Sequence, residues 1–122
     1  MRVVIRLECK DGLGPYTGDA GEWRNRRLRN MDIVYSDIGW NAVTYKHYCG
    51  FLSPQELYRW TSKLDRRQAE DDGYFVAVYL CPEEHVLEGR HQVAFVRDKA
   101  TLVERITPTQ FWRKRNVVAA LS

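Results

Sequence analysis

The most continuous apolar run is Tyr74-Phe75-Val76-Ala77-Val78-Tyr79-Leu80, which is apolar at every position. Such a run predicts a strand covered on both faces, and Pro82 ends it. Gln92-Val93-Ala94-Phe95-Val96 and Thr101-Leu102-Val103-Glu104-Arg105-Ile106 read as two further strands, with Asp98-Lys99 as the polar turn between them. Val3 to Glu8 carries enough β-branched residues to predict a first strand. Asp11-Gly12-Leu13-Gly14-Pro15 breaks it. Glu83 to Gly89 reads as a turn or a short helical link.

Helical spacing begins after Ser53. Ser53-Pro54-Gln55-Glu56 is a capping box with proline at the first helical position. Leu57, Trp60 and Leu64 then fall on one apolar stripe, with Arg59, Lys63, Arg66 and Arg67 largely off it. The helix is expected to fade near Asp71-Asp72, before Gly73. Thr107-Pro108-Thr109-Gln110 repeats the capping signal and opens a short C-terminal helix with Phe111 and Trp112. Residues 14 to 45 carry little periodicity. Within them, Asp32-Ile33-Val34-Tyr35 reads as a short strand and Arg24 to Arg29 as a short basic helix. The fold class is α+β: a small mixed, mainly antiparallel sheet with one central capped helix and a short C-terminal helix.

The chain has 122 residues, which fits a single domain over 1–122. Hydrophobic residues make up 44%, enough for a core without a disulfide or metal staple. No stretch approaches the roughly 20 apolar residues of a membrane helix. The N-terminal apolar run is too short, and too interrupted by charge, for a signal peptide. Cys9, Cys49 and Cys81 are odd in number, lie far apart and contain no Cys-x-x-Cys pair. The expectation is a protein with reduced thiols, retained in the cytoplasm.

The net charge of +3 is mild, but its distribution is uneven. Arg24, Arg26, Arg27 and Arg29 crowd one segment, and Arg113, Lys114 and Arg115 another. These two groups are the candidate partner-binding residues, facing nucleic acid or an acidic protein surface. A solvated basic face is the structural alternative. His47 with Cys49, and Cys81 with His85, lack the spacing of standard zinc sites, so no metal is expected. Gly12-Leu13-Gly14-Pro15 is a tight turn, not a phosphate loop, because no Gly-Lys-Ser/Thr follows.

Three blocks occur in order: Ile5-Arg6-Leu7-Glu8 with Gly12-Leu13-Gly14-Pro15-Tyr16; Tyr48-Cys49-Gly50-Phe51-Leu52-Ser53 leading into a helix; and Phe75-Val76-Ala77-Val78-Tyr79 followed by Gly89-Arg90-His91-Gln92-Val93-Ala94-Phe95. The order resembles that of small proteins encoded by phages and prophages. It also resembles a minimal ADP-ribosyltransferase core. The resemblance implies catalytic roles for Arg6, Ser53 and Gln92, and NAD as cofactor. Arg6 would clamp a phosphate, and Tyr48 or Phe51 would stack on nicotinamide. Gln92 is neutral where transfer usually has a carboxylate, Ser53 is already accounted for as a helix cap, and Arg6 is placed to pair with Glu8.

Three functions follow as expectations. The leading one is a phage effector or anti-defence (anti-CRISPR-like) protein that binds and inhibits a host or defence-system protein or nucleoprotein. The first alternative is an active NAD-dependent ADP-ribosyltransferase. The second is a basic nucleic-acid-binding domain.

Overall fold

The computed structural model describes residues 1–12, 16–17, 22–23, 42–44, 46–60, 63–90 and 92–113. Of these, residues 16, 17, 22, 23, 60 and 63–66 are described by their backbone alone. The expected strand at Asp32–Tyr35 and the expected basic helix at Arg24–Arg29 lie outside the described residues.

The strands are β1 (Arg2–Cys9), β2 (Tyr16–Thr17), β3 (Glu22–Trp23), β4 (His47–Gly50), β5 (Tyr74–Cys81), β6 (Val86–Glu88), β7 (Val93–Val96) and β8 (Thr101–Ile106). Helix α1 spans Pro54–Trp60 and α2 spans Lys63–Asp71. A further helix begins at 108 and is described to 113. The class is α+β, and every ladder among the described residues is antiparallel.

Two three-stranded sheets carry the fold, in the orders β1-β5-β8 and β4-β7-β6. β2 and β3 form a separate two-stranded ladder. The two larger sheets are stitched where Ile5 and Phe51 exchange backbone hydrogen bonds, both at 2.7 Å. Gly50 makes that approach possible. A Cβ there would stand 2.6 Å from Val4 Cγ1 and 3.0 Å from the Ile5 carbonyl oxygen.

β5 is central and, as its unbroken apolar run requires, covered on both faces. Side chains alternate across a strand. One face of the β1–β5 ladder therefore presents Ile5, Leu7, Tyr74 and Val76, which pack with Phe51, Leu57, Ala69 and Phe111 under the helices. The other presents Val4, Ala77, Tyr79 and Cys81, which pack with Val93 and Phe95 of the second sheet. The layers are thus helices, first sheet, second sheet. Burying one such side chain contributes about 1.5–3 kcal/mol.

The caps stand where the sequence placed them. The Glu56 amide donates to Ser53 Oγ at 3.3 Å. The Glu56 carboxylate turns to Arg59, at 3.7 Å, so the return half of this box is not the contact made. In the second box both halves form: Gln110 N–H to Thr107 Oγ1 at 3.1 Å, and Thr107 N–H to Gln110 Oε1 at 3.0 Å. α2 ends at Asp71, and Gly73 just beyond it has a φ of 87° that suits a helix stop, with its amide bonded to the Glu70 carbonyl at 3.0 Å.

The helix expected from Ser53 is helical over Pro54–Trp60 and Lys63–Asp71, with residues 61 and 62 outside the described residues. Two details depart from the pattern-based expectation. The link from Glu83 to Gly89 is half a 3-10 turn, Glu83–His85, and half the strand β6. β6 has only three residues, and its pairing with β7 supplies the order that local propensity does not. The polar turn at Asp98-Lys99 belongs to a 3-10 turn, Arg97–Lys99, that carries the chain from one sheet to the other.

Candidate functional site

Arg6 and Glu8 are two positions apart on β1 and therefore share a face. That face turns toward the second sheet. Arg6 is 4% exposed and Glu8 0%. Charged groups so deep are rare unless paired. Arg6 Nε lies 3.6 Å from Glu8 Oε1. Its remaining nitrogens donate to backbone: Nη1 to the Cys49 carbonyl at 3.1 Å and Nη2 to the Gly12 carbonyl at 3.2 Å. The guanidinium also lies over the Tyr48 ring, 4.8 Å from its centroid.

Two partners arrive from other strands. The β1-β5-β8 register sets Arg6 beside Ala77, and Ala77 beside Arg105. Arg105 Nη2 donates to Glu8 Oε2 at 2.7 Å, and its Nη1 reaches the Lys10 carbonyl at 3.4 Å. The Tyr79 hydroxyl donates to Glu8 Oε1. Burial pushes the Tyr79 phenol above its ordinary value of 10.0, and the Glu8 carboxylate adds to the rise. The Arg97 guanidinium lies over the Tyr79 ring, 4.5 Å from its centroid. Glu8 is thus enclosed by two guanidinium groups and a phenol, a buried polar cluster between two apolar sheets.

Gln92 is 3% exposed and stands just before β7. It lines a small cavity of about 120 Å³ together with Leu52, Glu56, Glu88, Gly89, Arg90 and Val93. The cavity lies beside the α1 N-terminus that Ser53 caps. Gln92 is therefore placed near the Ser53 turn, whereas Arg6 belongs to the cluster around Glu8. Phe51 is in the core beneath the helices, and Tyr48 is half-buried against Arg6 and Phe95. Arg24, Arg26, Arg27, Arg29, Lys114 and Arg115 lie outside the described residues. Arg113 is exposed, on the helix whose Phe111 and Trp112 pack against Tyr58.

Cys9, Cys49 and Cys81 are free thiols. Among the described residues, no group of three His, Cys, Asp or Glu side chains is placed to hold a metal. Nor is any described helix long and apolar enough to cross a membrane. Glu8 carried a sequence signal, a carboxylate two positions from an arginine inside an apolar strand. Tyr79 and Arg105 carried none, because only the register of three strands brings them to Glu8.

Residues 1–109 match the family model described as Bacteriophage T4 Y00F protein. A relative in Enterobacteria phage T4, described as an uncharacterized 19.7 kDa protein in the motB-dexA intergenic region, is 32% identical over 77 residues. The match covers 63% of this chain and 45% of that protein, so it spans less than half of the relative's length. No solved structure matches the chain.

Proposed function

The chain belongs to the Bacteriophage T4 Y00F protein family, and from that premise we propose that it is a phage effector that binds a host macromolecule and obstructs it, without chemistry of its own. The observation that carries this reading is the employment of Arg6. Its charge meets Glu8, two of its nitrogens meet backbone carbonyls, and its face is covered by Tyr48. A phosphate clamp needs those donors presented to a ligand. Ser53 is likewise engaged, as a helix cap. The cavity beside Gln92, at about 120 Å³, is well below the roughly 300–1,000 Å³ typical of small-molecule sites, and a dinucleotide does not fit it.

In this reading the work is done at the surface, in the host cytoplasm. Arg24, Arg26, Arg27 and Arg29, with Arg113, Lys114 and Arg115, supply charge that steers the encounter with an acidic protein or nucleoprotein, including a component of a defence system.

The test is affinity purification of the tagged chain from a phage host, in parallel with a variant carrying Arg24→Glu, Arg26→Glu, Arg27→Glu and Arg29→Glu. A stoichiometric complex that the charge reversal abolishes, while the circular dichroism spectrum is unchanged, is the expected result. Transfer of label from NAD to host protein, lost on Arg6→Lys or Ser53→Ala, would overturn the reading in favour of the transferase.

A further inference from the structure

The cluster around Tyr79 has an unbalanced charge. Three guanidinium groups are linked through it by contact: Arg6 and Arg105 through Glu8, and Arg97 through the Tyr79 ring. A single carboxylate, Glu8, faces them, leaving an excess of two positive charges among the described residues of the cluster. The excess is not evenly shared. Glu8 is shielded and divided between Arg6, Arg105 and the Tyr79 hydroxyl. Arg97 pairs with no carboxylate among the described residues, and its guanidinium lies against the aromatic face. The Nε atoms of Arg6 and Arg105 are buried without a hydrogen-bond partner.

The geometry also leaves a way in. Arg6 is sealed, but Arg105 keeps 28% of its side chain exposed and Arg97 is half-buried. Arg105 reaches the Lys10 carbonyl, and the Arg97 amide the Lys46 carbonyl at 3.4 Å, so two exposed lysines are neighbours along the backbone. Lys99 ends the same turn as Arg97. A half-buried cation is attracted to a counter-ion more strongly than a solvated one, because the local dielectric is lower. The Arg97 guanidinium makes no side-chain hydrogen bond among the described residues, and Arg105, held to Glu8 and the Lys10 carbonyl, adds its charge. A planar guanidinium with free edge donors matches the oxygens of a phosphate.

We propose that Arg97 and Arg105, flanking the Tyr79 ring, form a binding site for a phosphate group. This site is separate from Arg6, which is sealed from solvent, and does not depend on the effector reading above. The phosphate comes either free, as inorganic phosphate or a nucleotide, or as the diester of a single nucleic-acid strand.

The experiment is thermal unfolding and amide NMR of the full chain with inorganic phosphate, with AMP and with an eight-nucleotide oligothymidine, each against sodium chloride at matched ionic strength. Binding to the native state raises Tm as ligand is added. The expected result is stabilisation by at least one of the three, with amide shifts centred on Arg97, Tyr79 and Arg105. Arg97→Gln then weakens the response at least about tenfold, the ratio given by losing a charge-assisted hydrogen bond, and Arg97→Lys retains part of it. Response to phosphate and AMP alone identifies a free-phosphate site, and response to the oligonucleotide alone a strand site. Equal stabilisation by chloride, shifts that avoid these residues, or an undiminished response in Arg97→Gln would each overturn the proposal. The NMR map of the wild-type chain decides the matter even if Arg97→Gln folds poorly.

Discussion

Arg6 and Glu8 face the same way from β1, and the guanidinium Nε lies 3.6 Å from the Glu8 carboxylate with both side chains shut off from solvent. A buried pair of this kind is expensive to break and cheap to replace whole. Glu8→Gln removes the charge that Arg6 and Arg105 share, and it is expected to cost about 3–5 kcal/mol in urea unfolding. The triple variant Arg6→Met, Glu8→Leu and Arg105→Met removes all three charges and is expected to recover most of that loss. If the triple variant is as unstable as Glu8→Gln, the cluster does more than neutralise itself.

Gly50 marks where the two sheets meet. Gly50→Ala places a methyl 2.6 Å from Val4 Cγ1 and 3.0 Å from the Ile5 carbonyl. The second of these is backbone in a hydrogen-bonded bridge, so it yields little. A loss of about 1–3 kcal/mol is expected, from overpacking. Gly73→Ala supplies the contrast: nothing crowds its Cβ, but its φ is 87°. Its cost is expected near about 1 kcal/mol, from backbone strain alone. Chemical denaturation of both variants checks the order.

The two capping boxes differ in completeness, and their variants are expected to differ with them. Ser53→Ala removes one bond to the Glu56 amide, and about 1 kcal/mol is expected. The double variant Thr107→Ala with Gln110→Ala breaks a reciprocal pair, because Thr107 Oγ1 accepts from the Gln110 amide and Gln110 Oε1 from the amide of residue 107. Its cost is expected at the upper end of the capping range, about 2 kcal/mol. Amide exchange at the start of each helix separates local fraying from global loss.

The strands and caps were legible because their determinants are local. An unbroken apolar run from Tyr74, proline at the first helical position, and a Ser or Thr three residues before Glu or Gln each carry their own physics. What was hidden depends on pairing. Val86–Glu88 is too short to announce itself as a strand, and it exists by pairing with β7. The turn at Arg97–Lys99 reads as polar in sequence, yet which sheets it joins is set by partners far along the chain. The polar cluster was half legible. Arg6 and Glu8 reveal a shared face by spacing, while Arg105 stands 97 positions from the carboxylate it binds. That Arg6 pairs with Glu8 was legible from spacing, while the burial of both comes from the strands and the second sheet packed over them.

The alkaline limb of stability follows from Tyr79. Burial raises its phenol above 10.0, with a further contribution from the hydrogen bond to Glu8. The folded state thus holds the phenolic proton to higher pH than the unfolded chain does. Between the unfolded and folded values the native state binds more protons, so stability falls as pH rises. Below pH of about 10 the contribution is complete, and it is lost upward through the raised folded value. Cys81, also buried and raised above 9.0 by desolvation, bends the curve the same way from a lower pH. Urea midpoints measured from pH 8 to 11.5 are expected to decline. Cys81→Ala should remove the earlier part of the decline and Tyr79→Phe the later part. Tyr79→Phe is itself less stable at pH 8, since Glu8 loses a donor in a buried setting. A decline in Tyr79→Phe as steep as in the parent above pH 10 would place the alkaline sensitivity in other tyrosines and lysines instead.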